Sequence, residues 1–270
     1  MPWARAPSPG SAGRHELEGA ICSVGFRSGD RFVVGYWDRS PLGPLVDVMW
    51  ARPDGERVLV VADQRAGDFI SAVYLFDRVL VVPLRCDFDG RTLTLRAGSL
   101  RLGLRGGAGW RIPFGARRPA WFTRWVEGPV ARSLLGVRTF GVSPTGVREW
   151  YRADEYRPVV DAAAALGDAD LGPWGRFELA AGFGFSEPPH RPSIVRVRPL
   201  LIEPSGRLDR VVAAGAGAAS QPSDAEAPRR PTTHPIVAPH TTWASTIDVG
   251  LPGRSVSGCG MMPSAGTTPR

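Results

Sequence analysis

Residues 90 to 148 carry eleven arginines and a single acid, Glu127, a local balance of +10. The guanidinium group is a planar fork that holds two oxygens at once, so crowded arginines are the chemistry of carboxylate and phosphate binding. Two stretches sharpen the point. In "RTLTLRAGSLRLGLRG" (91–106) a two-residue Gly98-Ser99 turn would set Arg96 across from Arg101. Facing like charges destabilise a strand pair unless an acid or a bound anion neutralises them. In "WRIPFGARRPAWFTRWVEGPVARSLLGVR" (110–138) three tryptophans lie among six arginines. Arg96, Arg101, Arg105, Trp110, Arg117, Arg118, Trp121 and Arg124 are therefore the candidate ligand-binding residues. The expected ligand is a small carboxylate or phosphate held in a pocket lined by Arg and Trp.

Other chemistries are narrower. All 33 basic residues are arginine. Without a lysine amine there is no Schiff base and no phosphate-loop lysine. His15 and His190 are too scattered for a metal cluster, so neither a metal nor a cofactor is expected. Cys22, Cys86 and Cys259 have no Cys-x-x-Cys spacing, and the first two sit in apolar runs that read as core. Glu149 and Glu187 could act as acid or base. Glu149 alternates with Trp150 and is expected to face solvent, and Glu187 reads as loop. Three readings stay open: an anion-binding protein, a lyase or hydrolase using an acid such as Glu149, and a protein resting Trp121 and Trp125 on an anionic membrane surface.

The charge balance speaks against nucleic acid. Residues 15–210 hold 27 arginines and 23 acids, only +4, with no helix-turn-helix, RNP or zinc-finger pattern. The first residues, "MPWARAPSPGSAG", lack the apolar core of a signal peptide, and no apolar run is long enough to span a bilayer. A reducing, cytoplasmic location is the expectation.

The elements that must position these groups are mostly strands. "LVDVMWARPDGERVLVVA" (45–62) reads as a hairpin pairing Trp50 with Val58 and Val48 with Val60, apolar on both faces and so covered on both sides. "DQRAGDFISAVYLF" (63–76) is a helix, with Asp63 as cap and Ala66, Phe69, Ile70, Val73 and Tyr74 at helical spacing. "RVLVVPL" (78–84) is a strand. The 91–106 hairpin places Leu93, Leu95, Leu102 and Leu104 inward. A third hairpin over 137–153 sets Phe140 across from Trp150 and Thr139 across from Tyr151. Pro119 and Pro129 suit the first turns of a short helical pair near 118–135. Further strands are expected at 177–185 and 193–202. Residues 1–14, and 211–270 with their Ala, Gly, Pro, Ser and Thr, read as disordered and low in complexity. The fold class is a β-dominated α+β domain over 15–210, an antiparallel sandwich or partly closed barrel with one good helix and the short pair.

"DRSPLGPLVDVMW" (38–50), followed by a helix ending "AVYLFDRV", resembles acetoacetate-decarboxylase-like proteins. The matching residues are Gly43, Pro44, Asp47 and Phe76. The resemblance implies a β-rich fold around a pocket for a small organic acid. It cannot carry over the family's decarboxylation, which uses a lysine Schiff base. A relative lacking that lysine would be a binding protein or run different chemistry.

Overall fold

The computed structural model describes residues 13–112, 140–176, 181–184 and 189–218. The expected helical pair, Arg117, Arg118, Trp121, Trp125 and Arg124, Glu187, and residues beyond 218 lie outside them.

The described chain is β-dominated, with two helices. In chain order the strands are β1 (Arg14–Glu16), β2 (Glu18–Phe26), β3 (Arg31–Arg39), β4 (Leu45–Ala51) and β5 (Arg57–Val61). Helix α1 (Gln64–Ser71) follows, then β6 (Arg78–Val81), β7 (Leu84–Phe88), β8 (Thr92–Ala97), β9 (Leu100–Gly106) and β10 (Trp110–Arg111). After these come β11 (Phe140–Val142), β12 (Arg148–Leu166), β13 (Ala169–Asp170), β14 (Trp174–Gly175), β15 (Ser193–Ile202) and helix α2 (Arg207–Ala218). The main strands lie side by side in the order β6-β5-β4-β3-β2-β15-β12-β9-β8-β7. Neighbours are antiparallel except β5 and β6, which run parallel and are joined through α1.

The two edge strands of that order, β6 and β7, are consecutive in the chain and linked only by Val82 and Pro83. So short a link forces the sheet to curl until its two edges approach each other, a half-barrel. Strand β12 makes the bend. Its first half pairs with β15 and its second with β9, and the register slips between Ala153 and Glu155 and again between Val159 and Asp161.

Curling produces two cores. Inside the curl, Cys22, Val24, Phe32, Val34, Val48, Val58 and Val60 meet Leu93, Leu95, Leu102 and Leu104. On the outer side of the same sheet, Leu59, Val61, Val197 and Leu201 are covered by Ala66, Phe69, Ile70 and Val73 and by Leu208 of α2. Strands β4 and β5 are therefore buried on both faces, as their two-sided apolar pattern requires.

The hairpins form in the expected registers: Trp50 with Val58, Val48 with Val60, Arg96 with Arg101, Phe140 with Trp150. Asp63 caps α1, its carboxylate accepting the Ala66 N–H at 2.9 Å. Three features differ from expectation. Residues 181–184 are irregular rather than strand. Strand β12 runs well past Ala153, through the alanine-rich "VVDAAAAL". Helix α2 crosses the boundary drawn at 210, because Val211 and Val212 pack on the outer core and Glu203 binds its first turn.

Candidate functional site

On β4, side chains alternate between the two cores. Val46, Val48 and Trp50 face into the curl, while Leu45, Asp47 and Met49 face the helices. An aspartate thus occupies a core position and is fully buried. Its Oδ1 accepts the Trp37 indole N–H at 2.8 Å, and its Oδ2 has no hydrogen-bond partner. Gly35, opposite Asp47 on β3, makes room for this pair. A methyl group there would lie 2.4 Å from Asp47 Oδ1 and 2.6 Å from Trp37 Nε1.

Strand β12 brings a second acid to the same side. Glu149 does not face solvent; it is fully buried. Alternation does put Glu149 and Trp150 on opposite faces, but the covered face is that of Glu149, while Arg148 is exposed and Trp150 half-buried. Trp150 packs on Phe140 at 4.8 Å, and the Glu149 face lies under the turn after α1. There Glu149 Oε2 accepts the Tyr74 hydroxyl at 2.7 Å and the Tyr151 hydroxyl at 3.1 Å, and the two phenol oxygens also meet each other. Glu149 Oε1 has no hydrogen-bond partner. Both tyrosines are half-buried as residues, and their hydroxyls cap Glu149 Oε2 from within the fold.

Tyr74 is held in place from several directions. Helix α1 ends at Ser71, and the Tyr74 N–H closes the last turn on Ile70 O at 2.9 Å. Arg207 donates to Ala72 O at 2.7 Å and to Thr145 O at 3.1 Å, and the Thr145 hydroxyl donates to Val73 O at 2.9 Å. A cation on the last carbonyls of a helix suits the negative end of its dipole. Gly184 lies flat on the Tyr74 ring, where a methyl group would come within 2.7 Å of the ring carbons.

Burial sets the electrostatics, and no cation among the described residues forms an ion pair with either acid. Desolvation pushes Glu149 up to about 7, against the hydrogen bonds from Tyr74 and Tyr151 that favour its charged form. Desolvation likewise raises Asp47 to about 7, against the Trp37 hydrogen bond. Tyr74 and Tyr151 are driven above the ordinary phenol range, by burial first and then by the Glu149 charge, so both remain protonated donors near neutrality. Asp47 adds to the shift of Tyr151, which links the two acids electrostatically. Two carboxyls poised near neutral pH, one in contact with paired phenols, can take up and release protons. Among the described residues no group of His, Cys, Asp and Glu could hold a metal ion.

The residues expected to bind an anion are not all together. Arg96 and Arg101 face each other on the outer side of β8 and β9, both exposed. Arg105 lies further along β9 and meets Asp161 at 3.4 Å. Trp110 is half-exposed and stacks on Tyr156 with ring centres 4.5 Å apart. It stands instead at the end of a cross-strand row, Asp47-Gly35-Ile21-Val195-Tyr156-Trp110, which begins at the buried acid.

Sequence reasoning missed the acid cluster. In the sequence Asp47 stands out only through a resemblance, Tyr74 reads as part of an apolar helix face and Tyr151 as a hairpin rung. The available signal was an acid inside "LVDVMW", a strand already expected to be covered on both sides. Among the described residues no helix is long and apolar enough to cross a membrane. Compared with known proteins, the chain matches no family model, no curated protein and no solved structure.

Proposed function

We propose that the chain is an enzyme of proton transfer, a lyase or hydrolase acting on a small organic substrate, with Glu149 as its general acid and base. The observation that carries this is the Glu149 carboxyl: buried, unpaired with any cation among the described residues, and hydrogen-bonded by two phenols. A carboxyl placed for stability alone would be paired with a cation or replaced by an apolar side chain. Here the fold sustains an acid whose proton affinity sits at the operating pH of a catalyst.

In this reading Glu149, ionised above about pH 7, takes a proton from the substrate through the Tyr74 or Tyr151 hydroxyl. The phenol passes its own proton to Oε2 and receives the substrate's, so it ends neutral and the charge moves outward. The other phenol donates to the oxygen on which negative charge develops. Asp47, with one oxygen unpartnered, raises the cost of any further negative charge near Tyr151. The resemblance to acetoacetate-decarboxylase-like proteins supports a small organic acid as substrate, since Asp47 is among the residues that carry it. The absence of lysine from the chain rules out a lysine Schiff base in that reaction.

The test is proton exchange in deuterium oxide, followed by NMR, with a panel of 2-oxo, 3-oxo and 3-hydroxy acids and their esters. The intact protein should exchange or convert at least one of them. Glu149→Gln should lower the rate by roughly 10²–10⁴-fold, with Tyr74→Phe and Tyr151→Phe intermediate. A panel untouched by the intact protein, or a rate retained in Glu149→Gln, would refute the assignment.

A further inference from the structure

The strand pairing gives the arginine ribbon a third member. Arg85 on β7 lies opposite Arg96 on β8, and Arg96 lies opposite Arg101 on β9. The three are exposed and form one rung across three adjacent strands. Adjacent strands are about 5 Å apart, so the row spans roughly 10 Å. Arg101 donates to the Gly167 carbonyl at 2.5 Å, which fixes its position without neutralising it. No carboxylate among the described residues forms an ion pair with any of the three. Asp87 stands one rung away, opposite Thr94, and Asp161 is engaged by Arg105 at 3.4 Å. Next to Arg96 and Arg101 the outward residues are small, namely Thr94, Gly103, Ala163 and Ala165, while the exposed acids Asp87, beside Arg85, and Asp170, beyond Ala165, flank the two ends.

Three like charges in register cost stability on a sheet that could have placed Thr or Glu at any of them. We propose that this rung is a binding site for a linear oligophosphate, either free or carried on a nucleotide, and that it is separate from the Glu149 cluster. A straight row of cations suits a straight chain of anions. Each guanidinium can hold two phosphate oxygens, and the small neighbours let the chain lie flat. The Thr94 hydroxyl offers a further donor beside the row. Trp110 lies elsewhere along β12, so no base-stacking surface adjoins the rung among the described residues. That favours recognition of the phosphates over recognition of a base.

The experiment is calorimetric titration of the full chain with tripolyphosphate and, separately, with ATP, at low and at physiological salt. Saturable binding that weakens steeply with salt is expected. Arg85→Gln/Arg96→Gln should weaken it roughly tenfold and leave proton exchange at the acid cluster unchanged. Arg39→Gln, on another exposed part of the sheet, should bind as the intact protein does, and so should Glu149→Gln. Comparable binding of both ligands supports the shared phosphate chemistry; tripolyphosphate alone assigns a free chain, and ATP alone a nucleotide-borne one. No saturable binding of either, or undiminished binding by the double variant, overturns the site. Because its readout is binding and that of the acid cluster is proton exchange, one can fail while the other stands.

Discussion

Glu149 and Asp47 make stability depend on pH in a direction that identifies them. In the unfolded chain each carboxyl ionises in its ordinary range; in the fold both hold their protons until about pH 7. Between roughly pH 4 and 7 the unfolded state therefore binds fewer protons, and stability falls as pH rises. Above about 7 both states are ionised and the loss levels off. His15 acts oppositely in part of this window, since burial lowers it against the pull of Asp209 and Glu203. Comparison with Glu149→Gln cancels that contribution. The amide keeps an acceptor for the two phenols and cannot ionise. Its stability should decline less than that of the intact protein between pH 5 and 8, by on the order of 3 kcal/mol, as read from urea midpoints at the two pH values. Equal declines would mean that Glu149 ionises in the fold as freely as in solution. The variant should thus lose activity while gaining relative stability at pH 8, the exchange expected where a buried charge serves catalysis.

The elements around the site tolerate less than their exposure suggests. Helix α1 is only eight residues long, too short to persist without its cap and its packing. Asp63→Ala removes the side-chain acceptor for Ala66 N–H and should cost about 1 kcal/mol, with an unchanged dependence on denaturant. Gly35→Ala should be more damaging, because the added methyl would collide with both partners of the Trp37–Asp47 hydrogen bond. A loss of roughly 2–4 kcal/mol is expected, read by thermal unfolding at pH 5, where Asp47 is protonated. Which elements could be read in advance follows from where their signals lie. The hairpins and α1 carry local ones: a Pro-Asp-Gly or Gly-Ser turn, an aspartate cap, apolar residues at a single period. The second half of β12 carries none. Its alanine run favours helix intrinsically, and only pairing with β9 makes it a strand. Helix α2 begins among Gly and Arg, and its start is set by Glu203. Burial tends to raise that carboxyl, but the Ser205 hydroxyl and the backbone N–H groups of Leu208, Ser205 and Arg207 hold it down at about 2. Glu149 was hidden because alternation separates the two faces of a strand without telling which of them is covered. The Arg96–Arg101 pair was readable because a two-residue turn fixes register by itself; Arg85 joined it through the β7–β8 connection at 89–91.

At the scale of the molecule, one curled sheet serves as the wall of both cores. The acids sit in its helix-covered outer side, and the arginine rung on its uncovered outer side. Each core alone is modest, but neither can melt without exposing the back of the other, since β4 and β5 contribute alternate side chains to both. Phe69 and Leu95 are both essentially buried, the first on the sheet-facing side of α1 and the second inside the curl. Phe69→Ala should cost about 3–5 kcal/mol and Leu95→Ala about 2–5 kcal/mol. Their partners are distinct, so the double variant should sum the two losses within about 0.5 kcal/mol. Circular dichroism in the far ultraviolet and tryptophan fluorescence should give the same midpoint in every variant, because the shared sheet couples the layers. If Phe69→Ala instead produced an early fluorescence transition with strand signal retained, the helix layer would be unfolding alone. The acid cluster would then rest on a detachable cover, and Glu149 would lose the dry surroundings that set its proton affinity.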